Sequence, residues 1–329
     1  MASDLIGLFL DAIKVDALSL RERPMADFVR RTLAGLPVDV REDNTAPLFN
    51  GECGNLVCVP FSFNPTRPAI ALLAHLDTPR STADVRPVLS DVRIESDGTT
   101  VLGVDNRAGT SILLHALREH LMAGVSGNFI VVFTVAEELG PFGSKYIDLS
   151  PYSVKSCFVF DCSKRPGTYI QAAVGCAMYN ATFIGTSSHA GVAPEKGVNA
   201  IRIAAVAISR IPIGRLSSTM TSNVGMIVGG TATNVVPDRC TLQGEVRAFD
   251  APSINTHLEM LRLAFGDVAA EHHGCVEFTT SLDFAPFVLD PASDVVKLTE
   301  DVLQSVGLAP HPIKYLGGSD ANMLNAKGI

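Results

Sequence analysis

The chain has 329 residues, 47 % of them hydrophobic, which is room for a substantial core and about two domains. A net charge of −8 without any Lys/Arg cluster excludes a nucleic-acid binder, and the lack of any apolar run of roughly 18 to 20 residues excludes a bilayer-spanning helix. Seven cysteines, none in a CxxC pair, exclude a disulfide framework and a structural zinc site, so a cytoplasmic, small-molecule role is expected.

In chain order, residues 3–15 read as an amphipathic helix with Asp4, Asp11 and Lys14, too charged for a signal peptide. A second helix is expected over 20–33 and a strand over 54–61. Residues 69–79, AIALLAHLDTP, form a continuous aliphatic run that ends on His75 and Asp77. This is the pattern of a strand buried on both faces. Its two polar residues, two apart, share one face at the strand's C-terminal end, where open α/β sheets bind ligands. A hairpin is expected over 91–102 around Asp97-Gly98, and a helix over 108–121 preceded by Asp105 and Asn106. Strands over 129–136 and 156–160 end on Glu137-Glu138 and on Asp161. Three apolar strands that finish on His, Glu or Asp, alternating with helices, predict an α/β fold: a mixed, largely parallel sheet with flanking helices and its site along the C-terminal edge.

The texture changes near Gly175. Strands over 177–186, 220–229, 240–249 and 276–282, with helices over 198–211 and 252–272, give the order βαββαβ, an inserted α+β unit. A further helix is expected over 294–306, ahead of GGSDAN. The expected division is therefore 1–175 with 284–329 for one domain and 176–283 for the other.

The edge of the first domain collects His75, Asp77, Asp105, Glu137, Glu138 and Asp161. Clustered carboxylates resist ionising together unless a cation compensates them. Imidazole with carboxylates suits zinc, or manganese or cobalt, better than calcium or magnesium. A carboxylate can bridge two ions, two ions can clamp a water and polarise a carbonyl, and one of two adjacent glutamates can bind metal while the other takes a proton. Singly, each residue has an ordinary reading: His75 as a core histidine, Asp105 as a helix cap, Glu137 and Glu138 as first-turn acids, Asp161 as a turn residue. Their coincidence at separate strand ends favours the joint reading. Neither GxGxxG nor GxxxxGK[ST] nor GxSxG occurs in the required context, which removes nucleotide binding and serine hydrolysis.

The segments AHLDTP, LGVDNRAG, AEELG, FDCS, TSSHAG, TNVVPD and GGSDAN, in that order and across nearly the whole chain, resemble the dinuclear zinc metallopeptidases related to peptidase T, carboxypeptidase G and aminoacylase, and most of all the peptidase T-like tripeptide aminopeptidases. The resemblance implies a zinc exopeptidase-like catalytic domain with an inserted lid and dimerisation domain. It implies two zinc ions per chain, His75 and Asp161 holding one, Asp105 bridging, Glu138 holding the other, and Glu137 as general base. Asp77 would orient His75. From the second domain His189 would stabilise the tetrahedral oxyanion, often in the partner's site of a homodimer, and Asn234 and Arg247 would contact substrate. An ordinary surface ion pair is the other reading of Arg247. Gly317, Gly318 and Ser319 would line the pocket. An Asp at position 161 goes with aminopeptidases and dipeptidases in the family. The implied activity is hydrolysis of short peptides, with an amidohydrolase or carboxypeptidase acting on N-acyl amino acids, or a non-catalytic metal- or peptide-binding homologue, as alternatives. The family draws a further histidine from beyond the GGSDAN segment, and none of His115, His120, His257, His272, His273 or His311 is placed to replace it. The expectation is of a chain that lacks the C-terminal end of its catalytic domain.

Overall fold

The computed structural model describes residues 2–329, with side chains from residue 4. It divides into two compact units, one formed by the chain up to Arg165 together with Ser319–Ile329, the other by Pro166–Gly318.

The first unit opens with helices α1 (Ala2–Ala12) and α2 (Arg23–Leu33). Helix α2 starts later than its hydrophobic pattern suggests, because Leu20 has a left-handed φ of 71° and Glu22 takes the N-cap position. Strands β1 (Val38–Glu42), β2 (Leu56–Pro60) and β3 (Ala69–His75) follow. Strands β4 (Pro87–Leu89) and β5 (Ile94–Ser96) make the expected hairpin, but it turns earlier than Asp97-Gly98. Ser90 closes it at residues 90–93 by exchanging backbone and side-chain hydrogen bonds with Arg93. After helix α3 (Val104–Ala123) come strand β6 (Phe129–Thr134), the short helix α4 (Phe142–Tyr146) and strand β7 (Val154–Val159).

The five-stranded sheet has the order β1-β2-β6-β3-β7. Strand β3 lies parallel to both β6 and β7, with His75 opposite Thr134 and Leu73 opposite Val159, while β2 runs antiparallel to its neighbours. The apolar run that predicted β3 is buried on both faces. Leu56, Ala74, Val131 and Phe133 pack with α1, α2 and α3 on one side, and Ala71, Leu73 and Val132 pack with Leu324 on the other. The parallel register brings the C-terminal ends of β3, β6 and β7 to one edge, which fixes where the polar residues following them must gather.

In the second unit, strands β8 (Thr168–Ala173) and β9 (Gly175–Ile184) are followed by the two-residue strand β10 (Ser188–His189), helix α5 (Ala200–Ser209), strands β11 (Gly214–Ser217), β12 (Met220–Gly229), β13 (Val235–Val236) and β14 (Arg239–Ala248), helix α6 (Ala251–Glu271) and strand β15 (Cys275–Phe284). The sheet β11-β12-β14-β9-β15 is antiparallel throughout and packs against α5 and α6, so the βαββαβ order gains the short edge strand β11 in this sheet and the separate two-stranded ribbon β10–β13. Strands β16 (Phe287–Val288) and β17 (His311–Tyr315) flank β8 in a three-stranded sheet, with helix α7 (Asp294–Ser305) between them in sequence. Because β8, β16 and β17 form a sheet of their own, the units divide at 165/166 and 318/319, where the sequence reading drew the bounds at 175/176 and 283/284. The chain returns to the first unit with helix α8 (Asp320–Ala326).

Candidate metal centre

His75 is the last residue of β3 and is 1 % exposed. Its Nδ1 faces the Asp77 carboxylate at 3.2 Å and the Asp77 carbonyl at 3.1 Å, and its Nε2 faces Asp105 Oδ1 at 3.0 Å and Asp161 Oδ1 at 3.6 Å. With Asp77 accepting from Nδ1–H, the tautomer that leaves Nε2 free to bind a cation is favoured. Asp77 is fully buried and works in two directions. Besides His75 it accepts the Ser19 hydroxyl at 2.6 Å and the amides of Glu137 and Glu138, each at 3.1 Å.

Asp105 is carried by the first turn of α3, where it and Asn106 have non-helical dihedrals and share a cis peptide bond. Its side chain is 62 % exposed. The LGVDNRAG segment is locked to its surroundings residue by residue. Asn106 donates to the Phe160 carbonyl at 2.9 Å and accepts the Gly109 amide, tying the Asp105 turn to the residue before Asp161. Arg107, wholly buried, donates to the carbonyls of Leu76 and Val15. Gly109 must be glycine, since a Cβ there would collide with the Phe160 carbonyl and the Asn106 side chain.

Donor atoms of His75, Asp105 and Asp161 lie within 4.8 Å of one another, and so do those of His75, Glu137 and Glu138. No such triad joins Asp105 to Glu138 among the described residues. The electrostatics are those of an acid cluster short of positive charge. Burial pushes the Glu137 carboxyl up to about 9, aided by Asp320 and Asp161, and the Glu138 carboxyl up to about 7, aided by Asp105. Burial also raises Asp161, whereas the hydrogen bond to His75 lowers Asp105. Burial alone would depress His75, but its bonds to Asp105, Asp161 and Asp77 outweigh it and hold the imidazole well above its ordinary value. The Glu138 Oε1 atom is buried with no hydrogen-bond partner. An orphaned carboxylate oxygen beside an imidazole and further carboxylates is what a divalent cation would satisfy, so these residues fit such an ion.

Three further residues of the neighbourhood have no role in the sequence reading, although Asp320 falls within GGSDAN. Glu22 and Asn55 are fully buried, and Asp320 is 1 % exposed, with the Thr134 hydroxyl donating to it at the end of β6. Burial raises the Asp320 carboxyl as well. Ser319, expected to line the pocket, is the N-cap of α8, in a capping box with Asn322.

The remaining expected residues belong to the second unit. His189 and Asn234 meet at the β10–β13 ribbon, where the Ala190 amide donates to the Asn234 carbonyl at 2.9 Å. His189 is exposed, and its Nδ1 accepts the amides of Gly191 and Val192, both at 3.2 Å, which leaves the proton of the neutral ring on Nε2. Arg247 forms a two-pronged pair with Glu245, at 2.8 and 3.0 Å, and stacks on Phe284. Its guanidinium is thus already engaged, in the ion pair the sequence allowed as its other reading. Gly318 lies so close to the Phe284 ring that a Cβ would overlap it.

Known proteins share both the sequence and this architecture. The M20 peptidase dimerisation domain matches residues 172–273, inside the second unit. The Bacillus subtilis protein YqjE is 31 % identical over 326 residues, spanning 99 % of this chain and 88 % of its own length. The crystal structure of a tripeptidase from Staphylococcus aureus superposes with a TM-score of 0.88 at 32 % identity, covering 99 % of this chain and 87 % of that one. Aminopeptidase PepT from Bacillus cereus gives 0.85 at 31 %, with the same coverage. The chain therefore belongs to the M20 family of metal-dependent peptidases, hydrolases of peptide bonds.

Proposed function

We propose that the protein is an aminopeptidase of the peptidase T kind, removing a residue from the free N-terminus of short peptides, with two zinc ions as its resident metals. The observation that carries this reading is the convergence of the His75 imidazole with the carboxylates of Asp105, Asp161, Glu137 and Glu138 at one sheet edge. Likeness to the Staphylococcus aureus tripeptidase and to PepT supports the short-peptide substrate. One imidazole among carboxylates suits zinc, with manganese or cobalt as close substitutes.

His75 and Asp161 would hold one ion, Glu138 the other, and Asp105 both. Bound there, divalent ions supply an acidified water and polarise the scissile carbonyl. The chain's residues do the rest. Glu137 takes the proton of the attacking water and returns it to the departing amine, which requires its carboxylate form, a form that cations nearby favour. Asp77 holds the ring of His75 in the ligating tautomer and orientation. The Nε2–H of the exposed His189 is a donor suited to an oxyanion, and Asn234, Arg247 and Gly318 are assigned to substrate. For Arg247 that duty requires exchanging Glu245 for a substrate carboxylate.

The second unit is assigned to homodimer formation, supported by the dimerisation-domain match. A cytoplasmic location is supported by seven cysteines that are all unpaired. Among the described residues no helix is long and apolar enough to cross a membrane. The test is a pair of substrates: a free tripeptide is hydrolysed and the same tripeptide N-acetylated is not. The reverse preference would replace the aminopeptidase by an amidohydrolase of N-acyl amino acids.

A further inference from the structure

Where the chain leaves β6 it can no longer pair within the sheet, and four successive amides need acceptors. All four find a buried side-chain oxygen. The Val135 amide donates to Asn55 Oδ1 at 3.2 Å, Ala136 to Glu22 Oε1 at 2.9 Å, Glu137 to Asp77 Oδ1 at 3.1 Å and Glu138 to Asp77 Oδ2 at 3.1 Å. Asn55, Glu22 and Asp77 are all 0 % exposed. The second residue of this run, Ala136, has a left-handed φ of 52° although it is not glycine. That conformation costs about 1 kcal/mol or more and persists only where surroundings enforce it. Glu22 grips the Ala136 amide, while the Phe142 amide donates to the Ala136 carbonyl at 3.2 Å. The same Oε1 also accepts the Leu20 amide at 2.7 Å, anchoring the carboxyl to the loop between α1 and α2.

We propose that Glu22 is a positioning residue of the metal centre: by holding the Ala136 amide it enforces the kink that aims Glu137 and Glu138 to their separate tasks. This rests on the metal-centre reading above. Glu22 touches neither ion nor substrate. It acts through the backbone immediately before the two glutamates, just as Asp77 acts through the amides of the glutamates themselves. Outer residues that orient metal ligands typically matter about 10- to 100-fold in affinity or activity.

The test uses Co(II), whose visible absorption reports the ligand field, on the full chain. Glu22→Ala is expected to change the Co(II) spectrum, weaken the weaker-bound ion about tenfold or more, and speed hydrogen exchange at residues 136–138, with kcat falling and KM little changed. Glu22→Gln keeps an acceptor oxygen and should stay within about threefold of the native protein in each readout. Ala136→Gly placed in the Glu22→Ala background should recover most of the loss, because glycine reaches a left-handed φ without being held there. If Glu22→Ala does not fold, Ala136→Val alone perturbs the same kink and should alter the Co(II) spectrum. An unchanged spectrum and exchange pattern in the folded variants, or no recovery with glycine at 136, overturns the proposal. A native protein that binds no Co(II) overturns the metal-centre reading instead, while the exchange rates still decide whether Glu22 holds the turn.

Discussion

The first unit buries Glu22, Asn55, His75, Asp77, Asn106, Arg107 and Asp320 among its apolar residues, whereas the second packs Tyr179, Phe183, Leu261 and Phe265 with Ser222 and His257 as its only buried polar side chains among the described residues. The contrast separates two uses of a core. In the second unit burial goes into apolar area, the dominant favourable contribution to folding. In the first, part of the core is spent on desolvated polar groups that cost stability unless each is bonded, and the bonds they form lead to the turns carrying Asp105, Glu137, Glu138 and Asp161. Substitutions in the second core should therefore change stability and spare the metal centre, whereas substitutions in the first should disturb both.

The largest effect expected is in the second core. Phe265 meets Phe183 and Phe278 edge-on and Tyr179 at a tilt, and Phe265→Ala should cost about 3–5 kcal/mol in denaturant unfolding. Divalent-ion stoichiometry of the folded variant should stay native, and a loss of ions would blur the distinction. Gly109→Ala in the first unit should cost about 3 kcal/mol, since the new Cβ meets the Phe160 carbonyl, and it should also weaken ion binding. Titrating the folded variant with Co(II) checks the second half.

A smaller effect concerns pH. Arg23 grips Glu42 with both prongs, at 2.7 and 2.8 Å, and holds its carboxyl at about 2, well below the usual 4.5; Arg30 and the Gly54 amide assist. Because the folded value is the lower one, the stabilisation is complete above about 4.5 and is lost as pH falls toward 2, worth about 2 kcal/mol for this partly exposed group. Glu42→Gln should flatten the stability profile over that window. The smallest effect has the opposite sign: Gly266, in α6 with open space around its Cα, should gain about 0.5–1 kcal/mol on change to Ala. A Gly109→Ala variant as stable as Gly266→Ala would remove the contrast between the units.

What could be read from the sequence follows the same line. His75, Asp77, Glu137, Glu138 and Asp161 stand at the ends of long apolar runs, so the period of the pattern and its abrupt stop reveal both strand and site. Glu22, Asn55 and Asp320 are single polar residues without periodicity, and their partners lie 114, 80 and 186 residues away at Ala136, Val135 and Thr134. Glu22 looks like any acid at a helix start, which is also where it sits. Strands β1, β8 and β17 escaped for a related reason: they are five or six residues long and none has the long apolar run that marked β3. The hairpin was misplaced because Asp-Gly is a strong turn signal, yet here Ser90 makes the turn and Gly98, at φ 87°, bends the chain after it.

In the proposed mechanism one glutamate of the pair, Glu138, serves the ions and the other, Glu137, the proton. Divalent-ion content and tripeptide hydrolysis, measured together on the native chain and on Glu137→Gln, test it most directly. Glu137→Gln should leave the ion stoichiometry unchanged while kcat falls about 10²- to 10⁴-fold. Lost ions alongside surviving hydrolysis would contradict it, and would exchange the roles of Glu137 and Glu138.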